Sequence, residues 1–90
     1  MTLKEIVDNL GFGQECTYKD YSISLVKAGS FNNYSWPTHY TVRWEYGNYG
    51  MRKYFKDFYT FEDVEKFLKD RNINPEWFKK GYSPDLFNGL

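Results

Sequence analysis

The sequence predicts a two-layer α+β domain in which a three-stranded antiparallel meander carries an N-terminal helix and a C-terminal helix on one face. Two segments have helical periodicity behind capping signals, the segments between them alternate with period two, and a stretch rich in glycine and asparagine separates two of the alternating segments. The predicted order is α-β-β-β-α plus short C-terminal helical turns. The 90 residues, 1–90, are predicted to form a single domain with its own core.

The first helix is predicted at the N-terminus. Thr2 and Glu5 form a Thr-x-x-Glu capping box, and Gly11 stands where the helix should stop. Between them, apolar residues recur at helical spacing, which predicts one apolar face. These residues are Leu3, Ile6, Val7 and Leu10.

Two strands are predicted from alternating apolar and polar residues, one within residues 17–28 and one over residues 38–46. Successive side chains of a strand point to opposite faces, so each segment should have one buried and one solvated side. The sides predicted to be buried carry Tyr21, Ile23 and Leu25 in the first strand and Tyr40, Val42, Trp44 and Tyr46 in the second.

A hairpin is predicted at Gly47-Asn48-Tyr49-Gly50, followed by a third strand from Met51 to about Phe58. If Asn48-Tyr49 form a two-residue loop, the register is determined. The predicted pairs on the buried face are Tyr46 with Met51, Trp44 with Lys53 and Val42 with Phe55. The predicted pairs on the open face are Glu45 with Arg52, Arg43 with Tyr54 and Thr41 with Lys56.

The second helix is predicted to begin after Thr60, which forms a capping signal with Asp63. Its apolar face is formed by Phe61, Val64, Phe67 and Leu68. Beyond it, the segments "NPEWF" and "SPDLF" each place proline after a capping residue, which predicts two single-turn helices that pack on the domain.

Charge and cysteine content limit the environment. Twelve basic and twelve acidic residues give no net charge, so no bulk attraction to nucleic acid or to an anionic membrane is expected. A single cysteine, Cys16, cannot form an internal disulfide, and no apolar run is long enough to span a membrane. These features predict a cytoplasmic protein, a monomer or weak homodimer.

The inventory of catalytic side chains is poor, and no enzymatic activity, cofactor or metal site is predicted. His39 is the only histidine, and we expect it to be a solvent-facing strand residue. Cys16 is expected to be a small, partly buried apolar residue. The acidic residues at the start of the second helix are interpreted as partners of the helix dipole.

The open sheet face is one candidate binding surface. The predicted register brings Arg43, Arg52, Tyr54 and Lys56 together there, and rings interleaved with basic side chains are typical of surfaces that hold single-stranded nucleic acid. An acidic protein partner would fit the same surface. An ordinary solvated face with cross-strand pairs is the third interpretation.

The loop at residues 31–37 is the other candidate. Phe31, Tyr34 and Trp36 are many rings for a simple connection, so the loop is expected either to fold as a flap over the core or to present anchors to a partner. With Tyr49 from the predicted hairpin loop, the candidate binding residues are Tyr34, Trp36, Arg43, Tyr49, Arg52, Tyr54 and Lys56.

In overall character the chain is similar to the small inhibitors that phages and mobile elements encode against host nucleases, including anti-CRISPR proteins. The resemblance lies in small size, neutral charge and an aromatic content of 22%, and involves no specific residue. It implies a non-enzymatic protein-binding module that inhibits a host defence nuclease. The alternative function, predicted from the basic and aromatic open sheet face, is a single-stranded nucleic-acid-binding domain.

Overall fold

A computed structural model describes residues 2–46 and 52–82. The described elements are α1 (Leu3–Asp8), β1 (Gln14–Tyr18), β2 (Tyr21–Val26), β3 (Gly29–Phe31), β4 (Tyr34–Trp36), β5 (His39–Tyr46), β6 (Arg52–Phe58), α2 (Phe61–Asp70), a 3₁₀ turn (Pro75–Trp77) and β7 (Lys79–Tyr82). Five strands form an antiparallel sheet in the order β6-β5-β2-β1-β7. Strands β3 and β4 form a separate hairpin inserted between β2 and β5.

The α+β class and the two helices are confirmed, but the three-stranded meander is wrong because the sheet has five strands. The chain reverses between β1 and β2 at Lys19-Asp20, where Tyr18 pairs with Tyr21 and Lys19 has a φ of 51°. A lysine rarely adopts positive φ, so the sequence carries no turn signal there. Strand β7 was not predicted because its four residues do not alternate.

The core lies between one face of the sheet and a single layer formed by the two helices. Each helix contributes the apolar stripe that its periodicity predicts. The buried apolar residues are Leu3, Val7 and Leu10 from the N-terminal segment, Phe61, Val64 and Leu68 from α2, Cys16, Ile23, Val42 and Phe58 from the sheet, and Ile73 and Phe78 beyond α2.

The predicted capping residues are confirmed at both helices. Thr2 Oγ1 accepts a hydrogen bond from the Glu5 amide, and Thr60 Oγ1 accepts one from the Asp63 amide, each at 3.3 Å. The first predicted C-terminal turn is the 3₁₀ turn, capped by Asn74. The second, in "SPDLF", lies outside the described residues.

The register between β5 and β6 differs by one residue from the predicted one. Tyr40 pairs with Phe58, Val42 with Lys56 and Trp44 with Tyr54. Tyr54, Lys56 and Phe58 therefore lie on the helix-covered side, whereas Phe55 lies on the open side opposite Arg43.

Packing of Phe58 explains this register. Phe58 is 8% exposed and its ring centroid lies 5.3 Å from that of Phe67 on α2, whereas Phe55 is 69% exposed. The predicted register would have buried Phe55 and exposed Phe58. The predicted hairpin loop at Gly47-Asn48-Tyr49-Gly50 lies outside the described residues; the last described pair next to it is Tyr46 with Arg52.

A stack of rings crosses three strands on the helix-covered face. Trp44 is stacked on Tyr21 at 6.3 Å and on Tyr54 at 5.7 Å. From α2 and its C-cap, Phe67 contacts Trp44 at 5.3 Å, and the Arg71 guanidinium lies 4.8 Å from the Trp44 centroid. This stack joins α2 to the sheet at the end opposite α1.

A short network ties α1 to β5. Tyr40 Oη donates to Asp8 Oδ1 at 2.6 Å, and Lys4 Nζ donates to Asp8 Oδ2 at 2.7 Å. Burial opposes ionisation of Asp8, but hydrogen bonds from Lys4 and Tyr40 and the charge of Lys4 outweigh it and lower the Asp8 pKa. Burial, then the hydrogen bond to Asp8 and its charge, raise the pKa of Tyr40 to about 12.

The two possible registers predict opposite outcomes for two phenylalanines. In the observed register, Phe58→Ala should lower the free energy of unfolding by about 3 to 5 kcal/mol, because it leaves a cavity in the core. Phe55→Ala should change it by less than about 0.5 kcal/mol, as expected for an exposed side chain. Urea denaturation of both variants at low protein concentration measures the difference, and a larger loss for Phe55→Ala would contradict the register.

The Asp8 network predicts a pH dependence at both ends of the scale. A carboxyl group with a lowered pKa stabilises the fold above its unfolded-state pKa of about 3.9, and this contribution is lost as the pH falls through the folded-state pKa. Asp8→Asn should therefore flatten the acid limb of the stability profile. Tyr40 stays neutral in the folded protein up to a pKa of about 12, so stability should fall above about pH 10, where tyrosine in the unfolded chain ionises.

Thermal denaturation across the pH range tests both limbs. Tyr40→Phe should remove its share of the alkaline loss and also weaken the acid limb, because its hydroxyl helps to stabilise the Asp8 carboxylate. Glu45→Gln, at an exposed position on β5 and outside the Asp8 network, serves as the control. A Tyr40→Phe profile identical to that of the wild type would exclude the network as the source of the pH dependence.

Candidate functional site

Strands β3 and β4 form a tight hairpin beside the main sheet. Phe31 and Tyr34 pair directly across it, and Asn32 and Asn33 form the two-residue turn. Their φ values are 48° and 66°, and positive φ at both central residues is the signature of a type I′ turn. Asparagine tolerates this conformation better than most residues, and so the local sequence fixes the turn.

The hairpin has one aromatic and one polar face. Because side chains alternate, Phe31, Tyr34 and Trp36 share a face, while Ser30 and Ser35 pair on the other. Phe31 and Tyr34 are each 70% exposed. The hairpin therefore presents two directly opposed rings to solvent at its tip.

Trp36 holds the base of the hairpin. Its ring lies so close to Gly29 that a Cβ atom at that position would stand 2.8 Å from Trp36 Cζ2. The Trp36 indole Nε1 donates to the Lys27 carbonyl at 3.0 Å, and the Ala28 amide donates to Thr38 Oγ1 at 3.1 Å. Trp36 is thus half-buried within the hairpin itself and is not part of the domain core.

This geometry excludes one of the two predictions for residues 31–37. A flap that closes the aromatic core is wrong, because neither Phe31 nor Tyr34 joins the core and both are largely exposed. The segment is the distal part of a hairpin. Of its three rings, Trp36 stabilises the hairpin and the other two are displayed.

Further exposed rings lie at the same end of the sheet. The register places the start of β1, the end of β2, the start of β5 and the end of β6 at the same end of the sheet. Phe12, just before β1, is 93% exposed, and Tyr59, just after β6, is 65% exposed. Strands β1 and β6 are three interstrand steps apart, about 14 Å. We name this surface, formed by Phe12, Phe31, Tyr34 and Tyr59, the hairpin end.

Contacts of His39, at the start of β5, connect the parts of the hairpin end. His39 was predicted to face solvent, but its side chain is only 11% exposed. Its Nδ1 lies 2.7 Å from the Pro37 carbonyl, its ring centroid is 5.8 Å from that of Tyr59, and Nε2 is 3.9 Å from Asp57 Oδ1. Thr41 Oγ1 donates to the same Asp57 oxygen at 2.8 Å. His39 thus links the base of the hairpin to the end of β6.

The open sheet face does not gather the basic and aromatic residues that the sequence predicts for it. Tyr54 and Lys56 lie on the helix-covered side, and the Lys56 ammonium is 5.5 Å from the Phe58 ring centroid. Arg52 pairs with Tyr46 in the register, and Tyr49 lies outside the described residues. Of the predicted open-face basic residues whose side chains are described, Arg43 alone lies there.

A shallow groove of about 320 Å³ crosses this open face and extends around the β1–β2 turn. Its charges are mixed: Arg43 and Lys53 lie beside Glu15 and Glu45. The charge pattern does not resemble the positive groove that single-stranded nucleic acid requires.

Sequence reasoning missed Phe12, Tyr59 and Phe55 as displayed rings. Phe12 had a usable signal, because it stands between Gly11 and Gly13 in a connector where no strand or helix could bury it. Phe55 had none, since its exposure depends on the register. Tyr59 follows the last strand residue, so its position also depends on where β6 ends.

Reactive groups are few in the described part of the chain. Cys16 is fully buried, and burial, as the main cause, raises the pKa of its thiol. Within residues 2–46 and 52–82, no group of three or more histidine, cysteine and acidic side chains is placed to hold a metal ion. No helix in these ranges combines the length and apolar character needed to cross a membrane.

Comparisons with protein-family models, with curated proteins and with solved structures gave no match to this chain.

The Trp36–Gly29 contact predicts how the hairpin responds to one methyl group. Gly29→Ala should displace the indole ring, break its hydrogen bond to Lys27 and loosen the hairpin while leaving the core intact. NMR should show a shifted Trp36 Nε1–H signal with faster hydrogen exchange and unchanged core amides. Gly81→Ala, where an added Cβ meets no atom within 4 Å, is the matched control. Unchanged exchange at Trp36 in Gly29→Ala would contradict the contact.

Proposed function

We propose that this chain is a small protein-binding module that inserts the tip of its β3–β4 hairpin into an apolar site on a partner protein. The observation that carries the proposal is the pair of opposed rings, Phe31 and Tyr34, each 70% exposed on a hairpin with its own fixed turn. Neither ring supports the core, so folding alone does not account for them.

Preorganisation strengthens this proposal. A binding loop that must become ordered pays conformational entropy at each immobilised side chain. Here the turn at Asn32 and Asn33, with its positive φ values, and the Trp36–Gly29 contact fix the hairpin conformation before a partner binds. Aromatic anchors in such a setting are typical binding hot spots.

The mode of action that we propose is inhibition by occupation. A narrow protruding hairpin can fill a cleft and exclude another ligand without chemistry of its own. Phe12 and Tyr59 would then contact the rim of the cleft on either side of the hairpin. A host defence nuclease blocked in this way, as by the small phage-encoded inhibitors, is the form of this function that we propose.

The alternative, binding of single-stranded nucleic acid, has less support. Its basic and aromatic surface is divided between the two faces of the sheet, with Tyr54 and Lys56 on the helix-covered side. Acidic residues share the open face with Arg43. A polyanion would meet repulsion there as well as attraction.

The proposal predicts separate effects on binding and folding. Phe31→Ser combined with Tyr34→Ser should weaken partner binding by about 30-fold or more, since loss of one hot-spot side chain costs about 2 kcal/mol. The melting temperature should change little, because both rings are outside the core. Ser30→Ala with Ser35→Ala, on the opposite hairpin face, is the matched control.

The experiment begins with capture from a lysate of a candidate host, with and without nuclease treatment, followed by calorimetry with the purified partner. Full-strength binding by the Phe31 and Tyr34 variant would refute the hairpin as the anchor. Captured material that disappears on nuclease treatment, together with affinity for oligonucleotides that falls steeply with salt, would favour the nucleic-acid alternative.

A further inference from the structure

Strand β6 is the last strand on its side of the sheet. It pairs with β5, and no other strand of the described chain lies on its outer side. An edge strand offers unpaired backbone amides and carbonyls to another strand. All five residues from Lys53 to Asp57 are exposed, among them two rings, Tyr54 and Phe55.

We propose that β6 pairs in antiparallel fashion with β6 of a second copy of this chain, with Phe55 on the two-fold axis. In this register every side chain from Lys53 to Asp57 meets a suitable partner. Lys53 lies opposite Asp57 of the second copy, Tyr54 lies opposite Lys56, and the two Phe55 rings meet each other. The segment is complementary to itself, as an isologous interface requires.

The two sheet faces agree with this pairing. Residues directly opposite in an antiparallel pair project from the same face. On the open face, the Phe55 rings would therefore lie between two lysine–aspartate pairs. On the helix-covered face, the Lys56 ammonium would lie against the Tyr54 ring of the second copy, a cation–π contact.

Two of the alternative registers are opposed by charge. A shift of one residue in one direction brings Lys53 opposite Lys56, and a symmetric register centred on Lys56 brings that residue opposite itself. Like charges directly opposite each other are destabilising. A shift of one residue in the other direction sets Phe55 against Lys56 and Tyr54 against Asp57. The register centred on Phe55 combines ring contact with paired charges.

Lys53 and Asp57 are available for these contacts, and the Lys56 ammonium, 5.5 Å from the Phe58 ring centroid of its own chain, lies on the face where Tyr54 of the second copy would meet it. Neither Lys53 nor Lys56 forms an ion pair with another described side chain. Thr41 and His39 both approach Oδ1 of Asp57, so Oδ2 can accept from a lysine. Lysine on an edge strand usually discourages pairing. Here each lysine would have a partner, and the charges would select one register.

The resulting dimer would continue one five-stranded sheet into another. Because the two β6 strands run in opposite directions, the two hairpin ends would lie at opposite ends of the joined sheet. The inference therefore stands apart from the proposed function, because the hairpin tip takes no part in the contact.

A charge-swap experiment tests the register. Lys53→Asp and Asp57→Lys should each weaken self-association at least about tenfold, because each variant opposes like charges at two symmetric positions. Mixing the two variants should restore the complex as a heterodimer in which every pair is again opposite in sign. Sedimentation velocity over a concentration series measures the association, and circular dichroism monitors the fold of each variant.

Disulfide trapping provides a readout that does not depend on the charge variants. Two cysteines at the axis of an antiparallel pair fall within the Cα separation of about 4.4 to 6.8 Å that a disulfide needs. Phe55→Cys should thus form a covalent dimer under mild oxidation. The wild type, whose Cys16 is buried, and Glu62→Cys on α2 should not do so at a comparable rate.

Three outcomes would overturn the inference: a wild type that stays monomeric at millimolar concentration, self-association that neither charge variant weakens, or variants whose mixture does not associate. The Phe31→Ser, Tyr34→Ser variant should dimerise like the wild type. Loss of the proposed hairpin function and loss of the β6 contact are therefore distinguishable.

Discussion

The register between β5 and β6 is the constraint on which the surface of this protein depends. Strand side chains alternate between the two faces with a period of two, so a shift of one residue exchanges the two faces of β6. The observed register buries Phe58 against Phe67 and exposes Phe55. It also moves Tyr54 and Lys56 to the helix-covered side. The choice of one register thus divides the predicted nucleic-acid surface between the two faces of the sheet and places Phe55 on the open face.

The local signals in the sequence predicted most of the helical layer. Capping residues Thr2 and Thr60 and the apolar stripes behind them act through contacts within one or two turns, so the local sequence is sufficient. The β1–β2 turn could not be predicted, because Lys19 adopts positive φ where glycine or asparagine would be expected. Strand β7 could not be predicted either, since it depends on pairing with β1, more than sixty residues earlier in the chain.

The candidate site was predicted in part. Tyr34 and Trp36 were singled out by ring content alone, but their division into a displayed ring and a supporting ring required the position of Gly29. Arg43 was placed on the correct face of β5 because alternation in that strand is clear. The faces assigned to β6 residues depended on an assumed two-residue loop, and that assumption sets a register one residue away from the observed one.

The separation of the hairpin from the core has a consequence for how a binding surface of this kind can vary. Loss of Phe31 or Tyr34 removes no contact with the domain core, although Tyr34 also packs on Trp36, with their ring centroids 6.0 Å apart. Stability of the core therefore places little constraint on the identity of either tip residue. The turn and the Trp36–Gly29 base carry the structural requirement instead. The tip residues, which we propose to recognise a partner, can therefore change while the scaffold that presents them is retained.

Dimerisation through β6 would give the assembly two hairpin ends in place of one. Two hairpin ends at opposite ends of a joined sheet could engage two sites of a symmetric partner, and the second contact would then be intramolecular. Such a gain requires the two sites to match the spacing of the hairpins, because a linked pair that cannot reach both sites gains nothing. Weak self-association of the free protein would then be enough for binding at two sites. A partner that binds both hairpins would itself stabilise the β6 contact by linkage.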